Sequence, residues 1–185
     1  MKKIEIEIPD NKKVEWVDGV LTLVDEKKPK DVTERIKTFE DALNELGENH
    51  SFVLQYNTLR DAGANGIDCH DISAYLKLRI ICAALNEGWQ PKLTKAEWRY
   101  YPWFWLYTKT EIENMSEAEK KNLVIIDTGD YDTEYAGLAF AHSYYAPSDA
   151  ASDIGAHICL KSEALATYCG KQFIDLWADY LLRRK

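Results

Sequence analysis

Between Asp71 and Asn86 the chain is apolar nearly all the way round a helix. Ile72, Leu76, Ile80 and Ala83 form one stripe, and Leu78, Ile81, Cys82 and Leu85 widen it until little polar face remains. A helix of that kind is stable only when other elements cover it on every side, so it must be central. The rest of a 185-residue chain then has to supply the cover. That length is enough for one real core, and a single domain over residues 1–185 is the expectation.

Apolar alternation places strands before this helix. Ile4, Ile6 and Ile8 alternate with Glu5 and Glu7, which reads as a strand rather than the apolar block of a signal peptide. Val14–Val17 and Val20–Val24 flank Asp18-Gly19, a strong hairpin signal. These strands form an N-terminal β-meander, which needs a helix on one face. The helix predicted over residues 31–46 provides one. Asp31-Val32-Thr33-Glu34 starts it, Val32, Ile36, Phe39, Leu43 and Leu46 keep helical spacing, and Gly47 ends it. A further helix is predicted over 50–62.

Beyond the central helix, Thr94–Glu97 reads as a capping box with a short helical turn. Pro102 excludes a helix through Trp98–Tyr107, and the alternation after it suits a strand. Thr110–Asn122 is helical, with Ser116–Glu119 as an internal capping box. Leu123–Ile126 and Tyr135–Ala141 are strands. Residues 143–153 form a mobile or functional loop. Ile154–Lys161 alternates as a strand, and Ser162 caps a last helix over 162–182. The fold class is therefore α+β: an N-terminal β-meander with helices, and a C-terminal antiparallel sheet covered by the last helix.

Three blocks resemble a known family: Ile4–Glu48 with its Glu15–Leu23 hairpin, Ala74–Tyr107, and Ile154–Tyr180 with Gly170-Lys171-Gln172-Phe173. The family is an uncharacterised one encoded by gut anaerobic bacteria and their prophages. It has no established activity or catalytic motif. Its relatives often read Ser-Arg where this chain has Ala156-His157, so no role passes to His157. The resemblance implies a phage or mobile-element origin and says nothing about chemistry.

Composition narrows function further. The net charge of -8 argues against a broad nucleic-acid coat, whose affinity comes from Lys and Arg on phosphates. No run has the length of a membrane span. Cys69, Cys82, Cys159 and Cys169 form no C-x-x-C pair and read as reduced thiols in a cytoplasmic or virion-associated protein, with a Cys159–Cys169 disulfide as an alternative. No Walker loop, nucleophile elbow or H-E-x-x-H motif is present.

Four constellations carry chemistry. Arg99, Tyr100, Tyr101, Trp103, Trp105 and Tyr107, with Lys109, form an aromatic segment suited to stacking. His157 and Cys159, two apart on the expected strand, share a face, and His142 ends the preceding strand opposite them. With Cys169 or Cys69-His70 they would make a zinc site or a Cys/His hydrolase-like centre. Asp127, Asp130, Asp132 and Glu134 form an acidic turn that lacks the EF-hand pattern. Cys69-His70-Asp71 holds nucleophile, base and orienter types, but adjacent side chains diverge. The favoured reading is a non-enzymatic binding or assembly protein without cofactor, using the aromatic segment and the 143–153 loop toward a protein partner or a second copy. The alternatives are a zinc or hydrolytic centre at His142, His157 and Cys159, and single-stranded nucleic-acid binding through the aromatic strand.

Overall fold

The computed structural model describes residues 7–9, 12–25, 29–63, 70–92, 94, 96–147 and 155–185. The chain divides into two compact units, one through Asp31 and one from Val32 to Lys185. Among the described residues it is α+β, with eight α-helices and two antiparallel sheets.

The first unit is the predicted hairpin. β1 (Lys12–Val17) and β2 (Val20–Asp25) pair at six positions, from Lys12↔Asp25 to Val17↔Val20. Asp18 (φ 50°) and Gly19 (φ 81°) are both left-handed, the turn conformation that matches strand twist. Most of the predicted strand at Ile4–Ile8 lies outside the described residues, and Glu7–Pro9 are not in a strand.

The second unit is built on α4 (His70–Leu85). Leu78, Ile80, Ile81, Cys82 and Leu85 on it are fully buried. It packs against α2 (Phe39–Leu46), α3 (Ser51–Gly63), α7 (Glu163–Gln172), α8 (Ile174–Leu181) and a 3-10 turn at Ala156–Ile158. Ile72, placed in the apolar stripe from sequence, is exposed at the helix start.

The helix predicted over 31–46 is two helices: α1 (Val32–Arg35) and α2. Thr38 leaves the helical region, and its hydroxyl accepts from the Asp41 N–H. The Asp41 carboxylate accepts from the N–H groups of Thr38 and Lys37. This capping box satisfies the donors that a break exposes, so the break is stable inside a helical pattern. The same device divides residues 109–123. Thr108 and Ser116 each cap a short helix, α5 (Lys109–Asn114) and α6 (Glu117–Leu123), where one helix was expected. At Thr94–Glu97, where Lys95 lies outside the described residues, the Glu97 N–H reaches the Thr94 carbonyl at 3.5 Å in a single turn, while the Glu97 carboxylate accepts from the Lys92 N–H at 2.6 Å and not as the cap of a helix.

The C-terminal sheet has the order β3-β5-β4, with β3 (Trp98–Tyr107), β5 (Gly137–Pro147) and β4 (Ile126–Asp127) antiparallel. β3 runs through Pro102, which an edge strand tolerates because no inward donor is lost. The register skips between Trp103↔His142 and Phe104↔Phe140, a bulge at Ala141. β5 extends to Pro147, so residues 143–147 of the expected loop are strand; the remainder of that loop lies outside the described residues. Ile154 lies outside the described residues, and Gly155–Lys161 is not a strand. It contains the 3-10 turn, after which Leu160 exchanges both backbone hydrogen bonds with Tyr100 (2.9 and 2.7 Å). The buried Asn86 side chain fixes this path, donating to the Cys159 carbonyl and accepting from the Lys161 N–H.

The last helix is also two, α7 and α8, divided at Phe173; Ser162 caps α7 as predicted. Both pack on the sheet. Gly170 sets the closest approach: a Cβ there would lie 2.5 Å from Pro102 Cβ and 2.6 Å from a Phe140 ring carbon. Gly170→Ala is expected to destabilise the fold by about 1–3 kcal/mol through overpacking, read by urea denaturation.

Arg35, only slightly exposed, pairs with Glu45 (3.1 Å) and Glu87 (2.8 Å), and Lys161 also reaches Glu87 (2.8 Å). Lys161 and Arg35 hold the Glu87 carboxyl below its usual 4.5. Its contribution is therefore present above pH 4.5 and lost as pH falls through the depressed value. Because Glu87 is 40% exposed, the loss is at most about 1 kcal/mol. Glu87→Gln is expected to narrow the stability difference between neutral and acid pH by that amount.

Candidate binding surface

Strand alternation divides the side chains of β3 and β5 between two faces. Pro102, Phe104 and Phe140 face the helices. Phe104 lies 5.7 Å from the fully buried Trp177 ring of α8, and Pro102 and Phe140 enclose Gly170. Trp103 and Trp105 therefore point the other way and are 39% and 53% exposed. On β5, Tyr144 (45%) and Tyr145 (54%) are exposed too, as is Trp98 (45%) at the start of β3.

Trp98, Tyr145, Tyr144 and Trp103 make a row of ring contacts around the end of the β3–β5 pair. The register sets Tyr144 with Trp103 and Trp105 on one face, and Tyr145 with Trp98 on the side of Pro102. Trp98 meets Tyr145 edge-on at 5.0 Å. Tyr145 and Tyr144 lie 6.2 Å apart and 25° from parallel. Tyr144 approaches Trp103 at 5.6 Å, and Trp103 stacks with His142 at 6.4 Å. The strand register builds this row by setting Trp103 opposite His142. Arg99 is the single Lys, Arg, Asp or Glu in the two strands, and it is buried. The row is thus an uncharged aromatic surface on a chain of net charge -8.

Of the six residues assigned to stacking from sequence, Trp103 and Trp105 lie on this surface. Tyr100 and Tyr107 are half-buried. Arg99 and Tyr101 are a correction: each is 2% exposed and cannot present itself to a ligand. The sequence reading missed Trp98, Tyr144 and Tyr145. Tyr144-Tyr145 was visible as a pair, but assigning residues 143–153 to a loop concealed that both stand across from β3.

The metal set is also corrected. His157 lies in the 3-10 turn, exposed, with its ring edge-on to Phe52 at 5.8 Å. Cys159 is fully buried, and its thiol donates to the Ala156 carbonyl at 3.1 Å. They do not share a strand face, because the turn rotates one outward and the other inward. His142 belongs to the ring row. Among the described residues no three His, Cys, Asp or Glu side chains gather to hold a metal ion, so His142, His157 and Cys159 do not form a zinc centre. The acidic turn is tied up internally: Asp127 accepts from the Gly129 N–H, and Asp132 pairs with Arg183. His70 and Asp71 are exposed at the start of α4, and Cys69 lies outside the described residues.

Cys82, Cys159 and Cys169 are free and buried, so no disulfide joins Cys159 to Cys169. Burial pushes the Cys159 thiol up to about 11. Its hydrogen bond with Cys169, together with burial, holds the Cys82 thiol well above its usual range. Two surface hollows of about 390 and 380 Å³ meet at Asp71 and Tyr180, and their lining mixes carboxylates with His70, Arg183 and Arg184. Comparison with family models, curated proteins and solved structures finds no match to this chain.

Reactive cysteines are thiolates. In a Cys69→Ser background, Cys82, Cys159 and Cys169 are therefore expected to resist a thiol reagent near neutral pH until urea unfolds the chain. Prompt labelling of any of the three without urea would contradict their burial.

Proposed function

We propose that the protein is a non-enzymatic binding protein whose contact surface is the ring row of β3 and β5, and that it engages another protein. The carrying observation is the exposed set Trp98, Trp103, Trp105, Tyr144 and Tyr145 on one small sheet, with Trp103, Trp105 and Tyr144 sharing the face turned away from the helices. Trp and Tyr supply large contact areas at low conformational cost, and they dominate protein interfaces for that reason. The absence of an exposed cation in both strands favours a protein over single-stranded nucleic acid, which needs a positive groove along the backbone as well as stacking. A sheet-borne surface is also held more rigidly than a loop. The phage or mobile-element setting implied by the resemblance adds an assembly or accessory role, or sequestration of a host protein.

A photo-crosslinking amino acid placed at Trp105 tests this in cells producing the chain. The expected result is a discrete protein adduct that disappears in Trp103→Ala/Tyr144→Ala and is not formed from the exposed Glu117 of α6. No adduct beyond that control contradicts the reading. Binding to oligo(dT) at low salt that weakens in Trp103→Ala would transfer the surface to single-stranded nucleic acid.

A further inference from the structure

We propose that the paired hollows beside the start of α4 hold a small organic cation, an ammonium or guanidinium group on a short apolar body. The site lies on helices, apart from the ring-bearing sheet, and does not depend on the reading above.

Charge is the first argument. The hollow of about 390 Å³ is lined by His70, Asp71 and residues 179–184, and that of about 380 Å³ by Asp71, Ile72, Tyr75, Gly155 and Tyr180. The arginines in this lining already have carboxylate partners. Arg184 binds Asp179 at 2.7 Å and lies over the Tyr131 ring, and Arg183 pairs with Asp132. Asp179 also accepts from the Tyr131 hydroxyl at 2.8 Å. Asp71 is common to both hollows, and among the described residues it makes no ion pair and accepts no hydrogen bond. It stands in the first turn of α4, where the positive end of the helix keeps a carboxylate ionised. Tyr180 and Leu181 close α8, the negative end of that helix. The uncompensated charge of the lining is therefore negative, and it selects a cation.

The kind of cation is the second argument. A hard metal ion needs several oxygen ligands at once. Among the described residues no three acidic, His or Cys side chains gather to provide them. The rest of the lining is suited to carbon. Tyr75 and Tyr180 stack at 5.9 Å, and Ile72 is exposed beside them. Tyrosine rings attract cations, and Tyr75 already has the Arg79 guanidinium 5.6 Å from its centre. Neither tyrosine hydroxyl is hydrogen-bonded among the described residues, so each is open to a ligand N–H. One carboxylate, two rings and an aliphatic patch match a charged head on a short hydrocarbon body.

Size is the third argument. Each hollow is at the small end of the volumes that hold small molecules. Both lie at the surface, where an ion pair is weakened by water, so the affinity belongs in the millimolar range.

Amide NMR titration of the full chain with butylammonium, from about 0.1 to about 50 mM at constant ionic strength, tests the inference. The expected result is a saturable shift concentrated at Asp71, Ile72, Tyr75, Gly155 and Tyr180. Butylguanidinium should act alike, while 1-butanol, butyrate and ammonium ion bind at least tenfold more weakly. Asp71→Asn should weaken butylammonium about tenfold, as loss of one charged hydrogen bond does. Asp71→Glu should retain most of the affinity, and Glu117→Gln on α6 should leave it unchanged, which separates the site from general attraction to an acidic chain. Asp71 is exposed, so these variants should keep the far-UV circular dichroism and melting of the parent chain. Shifts that never saturate, shifts scattered over the surface, an equal response to butyrate or ammonium ion, or unchanged affinity in Asp71→Asn each overturn the inference. The Trp105 crosslink reads the sheet alone, so either result there leaves this one standing.

Discussion

The seating of α7 on the β3–β5 pair decides which aromatic residues are core and which are surface. Gly170 lets the helix backbone approach until Pro102 and Phe140 fill the space a Cβ would occupy. Phe104 then reaches the Trp177 ring. Once those rings are committed inward, strand alternation leaves Trp103 and Trp105 on the other side, beside Tyr144. A larger residue at position 170 would push helix and sheet apart and loosen the face that orders the row. Core packing and the proposed contact surface are thus two sides of one arrangement.

Behind that sheet, α4 anchors the second unit. It is covered by helices from both earlier and later parts of the chain, and its end is clipped by side-chain bonds. Asn86 holds the backbone at Cys159 and Lys161, while Glu87 receives Arg35 and Lys161. These links bring Leu160 to Tyr100 and so close the outer edge of β3 near its start. The edge is protected by backbone pairing and by Pro102, and the face is left open. Several chemistry-bearing side chains outside the row are taken up structurally: Cys82, Cys159 and Cys169 inside, Asp132 by Arg183.

Much of this was legible in the residues. Asp18-Gly19 specifies its turn because both positions need positive φ, and the all-round apolar pattern of α4 has one stable solution. Ser116 and Ser162 cap helices where their hydroxyls predict. The misreadings have a common cause. Periodicity reports which side is apolar, but not where a side chain breaks the backbone ladder. Thr38 and Asp41 interrupt an otherwise continuous stripe, and Phe173 divides the last helix without a polar signal at all. Ile154–Lys161 alternates like a strand, yet Ala156–Ile158 form a 3-10 turn, with Asn86 and Tyr100 holding the exit. Tyr144 and Tyr145 were hidden for a different reason: pairing with a distant strand, not local composition, makes residues 143–147 extended. His157 and Cys159 lost their shared face through the same turn.

The direct measurement of which rings are surface and which are core is hydroxyl-radical footprinting of individual rings. Dilute protein should label readily at Trp103, Trp105, Tyr144 and Tyr145 and hardly at Trp177 or Tyr101. Labelling of the four no faster than Trp177 would contradict the account.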